Sequence, residues 1–251
     1  MILIYNCVKS YLNYIKESIL SREQQREYQK KVFEQENYFK TDILPIIEMN
    51  CSEYLDIVTE IIKEDTYERH PSNGEIEYGF LYRSIQLDPR YPFPQKGLSL
   101  RKFKERLKPS DTNVLIHNLI NDLTEEQVGW RVRNGVFTTS SIVETERYGT
   151  KYIFLPIGDY KFAYDPNIHD LTDWCFDVIP DYFNMREWTM DDWNEKGDID
   201  KVEEIIEKQV KYTDKDLKTA IKKGVEVIFK CDFYLLDTDY KSYFINYIKE
   251  R

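Results

Sequence analysis

Polar side chains interrupt three stretches that otherwise read as apolar strands. Arg83 follows Leu81 and Tyr82, four hydroxyl side chains run from Thr138 to Ser141, and Glu226 stands between two valines. Burying a guanidinium is unfavourable unless it meets an anion or a carboxylate. Taken singly, the three fit an ion pair, a helix N-cap and a strand glutamate that faces solvent. Their order along the chain is therefore more informative than any one of them.

The ordered set resembles the Arg–Ser–Glu class of ADP-ribosyltransferases. The segment "FLYRS" around Arg83 is similar to the family's aromatic-Arg strand, and "VEVIF" around Glu226 is similar to its E-V-L-F strand. Between them, "VFTTSSIVETERYG" is similar to its F-S-T-S strand and the helix that follows. The resemblance covers residues 78–247. It implies an α+β fold with an ADP-ribosyltransferase-like split β-sheet core, preceded here by an N-terminal helical segment.

The resemblance also implies a reaction, the transfer of ADP-ribose from NAD after cleavage of the nicotinamide–ribose bond. Glu226 would bind the ribose hydroxyls and stabilise the positive charge that develops on the ribose. Arg83 would hold the pyrophosphate or the ribose through charge-assisted hydrogen bonds. Thr138 would take the place of the first serine and orient the glutamate. The expected catalytic residues are therefore Glu226, Arg83 and Thr138.

The remaining NAD contacts are also implied by the resemblance. Backbone groups from Tyr82 to Ser84 would clamp the nicotinamide amide, and Thr139 and Ser140 would complete the hydroxyl strand. The nicotinamide ring would stack on an aromatic side chain. Phe154, Tyr152 and Tyr148 are the candidates for that ring, and the sequence does not rank them. NAD is the expected substrate, and no metal is expected.

One departure from the family concerns the acceptor. Members that modify arginine carry Gln or Glu two residues before the catalytic glutamate, whereas this chain has Gly224. Arginine is therefore not the expected acceptor. Another side chain, a nucleic acid, a small molecule and water all remain open. We expect the acceptor to be a macromolecule of a host cell, and we favour a protein over a nucleic acid.

A second block resembles a group of phage-encoded proteins. It runs from Arg106 to His117 as R-x-x-P-S-D-T-x-x-x-x-H and continues into "GWRVRNGVFTTSS" and "YGTKYIFLPIGDYKFAYDPNIHDL". This resemblance implies a bacteriophage source and action in the cytoplasm of the host cell. His117 stands on an apolar helical stretch, so we expect a packed, hydrogen-bonded histidine rather than a catalyst.

A protein without catalysis is the main alternative. The same fold could serve a phage structural protein or a module that binds a host protein. The net charge of −10, the 20 tyrosines and the helical N-terminal segment fit such a module equally well.

Composition excludes several other functions. A net charge of −10 disfavours non-specific binding to nucleic acids and membranes, although residues 96–108 are locally basic. The four cysteines form no CxxC pair, and the three histidines are too dispersed for an HExxH-like metal site. The start of the chain lacks the features of a signal peptide, and no apolar stretch approaches the roughly 18 residues that span a bilayer.

The patterning divides the chain into a helical segment, residues 1–70, and a catalytic domain, residues 71–251. Residues 1–66 read as helical, with Ser52 beginning one helix, and a cap at 110–112 begins another. Residues 166–197 read as irregular. The other predicted elements are strands at 78–85, 135–139, 225–236 and 240–247, a hairpin of 151–155 with 160–164, and helices at 142–148, 198–211 and 213–222, the last ended by Gly224.

Overall fold

A computed structural model describes residues 22–64, 79–86, 97–107, 112–141, 149–185 and 187–251. The predicted helices at 4–19 and 142–148, the cap residues Ser110 and Asp111, and Tyr148 lie outside these ranges. The chain forms two compact units, one up to Pro45 and one from Ile46 onward.

The first unit is helical wherever it is described, as the sequence predicts. Helix α1 (Arg22–Tyr38) is followed by a π-helical turn (Phe39–Ile43), and the boundary of the unit falls within the next helix, α2 (Leu44–Asn50). Most of α1 is exposed, including Phe33 at 70%. In the π-helical turn, by contrast, Phe39 and Ile43 are buried.

The second unit combines helices with a β-sheet. Helix α3 begins at Ser52, as predicted. The strands are β1 (Tyr82–Ile85), β2 (Leu98–Arg101), β3 (Val136–Thr139), β4 (Thr150–Pro156), β5 (Lys161–Tyr164), β6 (Glu226–Lys230) and β7 (Phe233–Asp237). The helices are α3 (Ser52–Glu64), α4 (Val114–Val128), α5 (Leu171–Val178), α6 (Tyr182–Met185), α7 (Met190–Lys196), α8 (Ile199–Gln209), α9 (Leu217–Lys223) and α10 (Lys241–Glu250).

The described strands form one antiparallel sheet in the order β2-β7-β4-β1-β3-β6-β5. This architecture confirms the predicted α+β class. Strand β1 pairs with β4 over four residues but with β3 only at Tyr82 and Thr139. The sheet therefore divides between β1 and β3 into two halves, β2-β7-β4-β1 and β3-β6-β5.

An aromatic core joins the two halves. The ring centroid of Phe154 on β4 lies 5.0 Å from that of Phe229 on β6 and 4.9 Å from that of Phe233 on β7. In a flat sheet, β4 and β6 would lie three strand spacings apart, about 14 Å. Contact between Phe154 and Phe229 therefore requires the halves to fold over one another.

Residues 165–209 form a helical lobe, so the prediction of irregular structure for 166–197 was wrong. Helices α5, α6 and α7 lie within the range that was predicted to be irregular. Two polar residues of this range are N-caps, since Asp170 and Thr189 accept hydrogen bonds from the first turns of α5 and α7. The lobe carries fourteen acidic and four basic side chains, so the rest of the chain is balanced in charge.

Two further predictions of strand structure were wrong. Strands β4 and β5 form no hairpin, since β5 pairs with β6 in the other half of the sheet. Residues 240–247 fall in α10 rather than in a strand. Their Tyr, Phe and Ile residues favour strands, but Phe244 and Ile248 are spaced for burial on one face of a helix.

The predicted end of α9 is confirmed, whereas the predicted strand 225–236 is two strands. Gly224 ends α9 in the left-handed conformation, at φ +70°. The predicted strand 225–236 is divided by Cys231 and Asp232 into β6 and β7, which belong to different halves of the sheet.

Within the described ranges, no helix combines the length and apolarity needed to cross a bilayer.

Candidate functional site

The three polar segments singled out in the sequence lie on adjacent strands. Arg83 is on β1, the hydroxyl run ends β3, and Glu226 begins β6. Tyr82 pairs with Thr139, and Thr139 pairs with Glu226. The sheet thus aligns Tyr82, Thr139 and Glu226 in a single row at its dividing point, whereas Arg83, the next residue of β1, belongs by strand alternation to the opposite face.

Arg83 reaches across the division of the sheet. Its Nη1 donates to the carbonyl oxygen of Phe137 on β3 at 2.8 Å. Burial, together with neighbouring Arg106 and Arg101, lowers the pKa of Arg83 to about 10. In the described part of the chain, neither its hydrogen bond nor its neighbouring charges involve a carboxylate. A partly buried cation in this setting favours a bound anion.

Glu226 forms an ion pair with an arginine that the sequence analysis did not select. Its Oε1 accepts from Nη1 of Arg133 at 2.5 Å. The side chain of Arg133 is 3% exposed and that of Glu226 is 16% exposed. The backbone amide of Glu226 donates to the carbonyl of His169 at 3.0 Å, which fixes the start of β6.

The hydroxyl beside Glu226 belongs to Thr139. Side chains alternate between the faces of a strand, and the cross-strand pairing places Thr139 on the same face as Glu226. Its Oγ1 donates to the carbonyl of Gly224 at 3.2 Å. Thr138 lies on the opposite face and donates to Val227 at 2.8 Å.

Ser140 is buried and serves as a tether. Its Oγ donates to the carbonyl of Ile221, which joins the end of β3 to α9. Together with the bond from Thr138 to β6, this contact holds the hydroxyl strand against its neighbours.

The other predicted NAD contacts are dispersed. Tyr82 is buried, with the Nζ atoms of Lys151 and Lys241 at 5.9 Å and 5.5 Å from its ring centroid. Ser84 is half-buried and pairs with Lys151. The structure places Phe154 inside the aromatic core at 0% exposure, and Tyr152 is also buried.

Three guanidinium groups surround Phe137. Arg83 binds its carbonyl, while the guanidinium carbons of Arg133 and Arg106 lie 4.3 Å and 5.0 Å from its ring centroid. Arg106 belongs to the basic stretch noted in the sequence, and its amide donates to Asn134 at 2.9 Å. The sequence did carry a signal for Arg133. It is an arginine between Val132 and Asn134, three residues before the strand at 136–139, and this signal is weaker than that of Arg83 because Arg131, Asn134 and Gly135 surround it.

A buried polar network supports Arg133 from helix α4. Asn121 accepts from the amide of Arg133 at 2.8 Å and donates to Asn134 at 2.9 Å. His117 forms a 3.2 Å hydrogen bond with Asn134, and burial and nearby arginines lower its pKa to about 4. His117 is thus a packed histidine, with no acid–base role near neutral pH.

Over the described ranges, no group of three or more His, Cys, Asp or Glu side chains could hold a metal ion.

No family model, no curated protein and no solved structure matches the chain. The function of the chain is therefore inferred from the site itself.

Proposed function

We propose that the protein is a mono-ADP-ribosyltransferase that cleaves NAD at the nicotinamide–ribose bond and transfers ADP-ribose to a host macromolecule. One observation carries the proposal. The segments around Arg83, Thr139 and Glu226 lie on three adjacent strands at the division of the sheet. This division also supports the split β-sheet core that the sequence resemblance implies.

Arg83 binds the pyrophosphate of NAD in this proposal. A phosphate anion offers the charged acceptors that the described surroundings of Arg83 lack, and charge-assisted hydrogen bonds are about twice as strong as neutral ones. Strands β1 and β3 pair only at Tyr82 and Thr139. The guanidinium of Arg83 therefore lies where backbone hydrogen bonds between the two strands would otherwise form.

Glu226 acts on the ribose. The bond between C1′ and the ring nitrogen breaks, and nicotinamide leaves with the electron pair. The carboxylate stabilises the positive charge that develops on the ribose. The nucleophilic atom of the acceptor then gives an electron pair to C1′ and loses its proton. Thr139, rather than Thr138, shares the face of Glu226, and because its hydroxyl donates to the carbonyl of Gly224 it supports the backbone beside the carboxylate.

The acceptor is not arginine in this proposal. Gly224 offers no side chain two residues before Glu226, and its left-handed φ of +70° belongs to the helix end. We place the reaction in the cytoplasm of a phage-infected host, with a host protein ahead of a nucleic acid as acceptor.

A second candidate is a binding module without catalysis. The ion pair between Arg133 and Glu226 favours it, since a structural ion pair by itself explains a glutamate on this strand. The two candidates differ in whether the carboxylate acts on a ligand.

Nicotinamide release from NAD tests the proposed function independently of the acceptor. We expect release by the native protein and a loss of at least about a hundredfold in Glu226→Gln, which keeps the shape but removes the charge. Glu203→Gln, a change on the exposed surface of α8, is the matched control and retains activity.

Labelled NAD and host lysate then identify the acceptor. Absence of nicotinamide release by the native protein would leave the binding module as the function. Equal release by Glu226→Gln would move catalysis to another residue.

A further inference from the structure

We propose that Arg133 is a positioning residue, which fixes the orientation of the Glu226 carboxylate and maintains its negative charge during the reaction. This inference rests on the proposed function, because it assigns a task to the arginine only if Glu226 acts on NAD. Arg133 belongs to none of the three segments that suggested the reaction.

The burial of the two partners is unequal, and this inequality points to support rather than to a simple ion pair. Arg133 is 3% exposed, whereas Glu226 keeps 16% of its side chain exposed. The cation therefore lies behind the carboxylate, and the carboxylate lies nearer to solvent. An ionised carboxylate has about four acceptor positions on two oxygens. Binding of Oε1 by Arg133 is thus compatible with hydrogen bonds to ribose hydroxyls.

Arg133 is held from several elements. Its guanidinium packs on the ring of Phe137 in β3 at 4.3 Å, and its amide donates to Asn121 of α4 at 2.8 Å. The side chain of Tyr212, which follows α8, also forms a hydrogen bond with it. These contacts fix the guanidinium before any ligand binds. A preorganised group of this kind loses little freedom when the reaction begins.

The titratable groups around the pair keep constant charge near neutral pH. Burial lowers the pKa of His117 on α4 to about 4 and raises that of Cys175 on α5 to about 12. Burial also raises the pKa of Tyr212 and lowers that of His169, whose carbonyl accepts from the amide of Glu226. Arg106, on the same Phe137 ring, adds a further positive charge. His117 titrates in the acid range and Arg133 helps to lower its pKa, so the acid limb is compared in a His117→Gln background, where a shift on substitution of Arg133 reports on the pair itself.

The experiment measures NAD cleavage against pH in the full chain for Arg133→Gln and Arg133→Lys. We expect kcat to fall by at least about tenfold in Arg133→Gln, while KM for NAD changes by less than about threefold. The acid limb of the kcat profile should move upward by about one pH unit, because the carboxylate has lost the cation that favours its ionised form. Arg133→Lys retains the charge and should show the smaller shift.

Arg131→Gln is the matched control. Arg131 is two residues away, its side chain is 43% exposed, and it pairs with Asp122 on the surface. The same loss of charge at this position should leave kcat and the pH profile unchanged. Added guanidinium ion should restore part of the activity of Arg133→Ala, and ammonium ion at equal ionic strength should not.

Two results would overturn the inference. One is a folded Arg133→Gln protein with the native kcat and acid limb, and the other is equal rescue of Arg133→Ala by the two cations. If Arg133→Gln does not fold, kcat of Arg133→Lys decides, because lysine keeps the charge but lacks the planar guanidinium, and a native kcat in that variant would overturn the positioning role. Lack of NAD cleavage by the native protein is a different result, which overturns the proposed function and the inference with it.

Discussion

Arg83 shows how a single side chain can indicate a ligand. Its guanidinium lies between diverging strands, binds one carbonyl, and has two arginines nearby. Positive charges placed together oppose folding unless something else favours the arrangement. The phosphate ligand proposed above would supply the missing negative charge.

Replacement of Arg83 by Met should weaken NAD binding by about tenfold or more, because the charge-assisted hydrogen bonds to phosphate are lost. The free energy of unfolding without ligand should not fall, since the variant removes a partly buried cation that lacks a carboxylate partner in the described ranges. Thermal shifts measured across an NAD titration test both statements, with Arg131→Met as the control. A native response to NAD in Arg83→Met would remove Arg83 from the site.

His117 should make stability depend on pH. In the folded chain its pKa is lowered to about 4, whereas the unfolded chain has a value near 6.5. Between these values the unfolded state binds more protons, so stability is lost as the pH falls from 6.5 towards 4, by on the order of 2 kcal/mol. Denaturation of the native protein and His117→Gln at pH 7 and pH 4.5 measures this loss. Equal losses in both proteins would contradict the assignment.

Residue types alone could not choose between Thr138 and Thr139. Both are hydroxyl residues on one strand, and only the pairing of Thr139 with Glu226 decides which of them shares its face. A shift of one residue in register would exchange their positions. That register does not follow from the residue types.

At the scale of elements, the cap of helix α4 connects much of the helical lobe. The side chain of Asn113 accepts from the amide of Leu115 at 2.8 Å and from Nε1 of Trp193 at 3.0 Å. It also donates to the carbonyls of Met185 and Trp188 at 2.9 Å and 3.0 Å. One buried amide thus joins α4 to the chain around α6 and α7.

Asn113→Ala should lower the free energy of unfolding by about 3 to 5 kcal/mol, because it removes a cap and leaves several buried polar groups without this partner. Asp198→Ala removes the exposed cap of α8 and should lower it by only about 1 kcal/mol. Chemical denaturation of both variants compares them. A loss in Asn113→Ala no larger than that in Asp198→Ala would show that the amide does not join these elements.

Local sequence patterns were sufficient to predict several helices and strands, but they did not predict how the strands pair. Strand β3 and the end of α9 at Gly224 follow from apolar runs and turn residues near in sequence. The pairing of β5 with β6 joins residues more than sixty positions apart, so no local signal contains it. The helices of residues 170–197 were missed because each is short and its capping aspartates resemble loop residues.

The net negative charge of the molecule is concentrated in one part of the chain. Residues 165–209 contain ten more acidic than basic side chains, which equals the net charge of the entire chain. Residues 1–164 and 210–251 together carry no net charge. A lobe of this charge attracts basic surfaces and repels nucleic acids at distances up to about 8 Å in physiological salt.

The division of the sheet has a consequence for self-association. Where β1 and β3 separate, the sheet contains two strand edges in its interior, and unpaired edges are sites at which another chain can add a strand. Arg83 places a charge between these edges and occupies the carbonyl of Phe137. The residue proposed to bind the pyrophosphate therefore also discourages another chain from adding a strand where β1 and β3 separate.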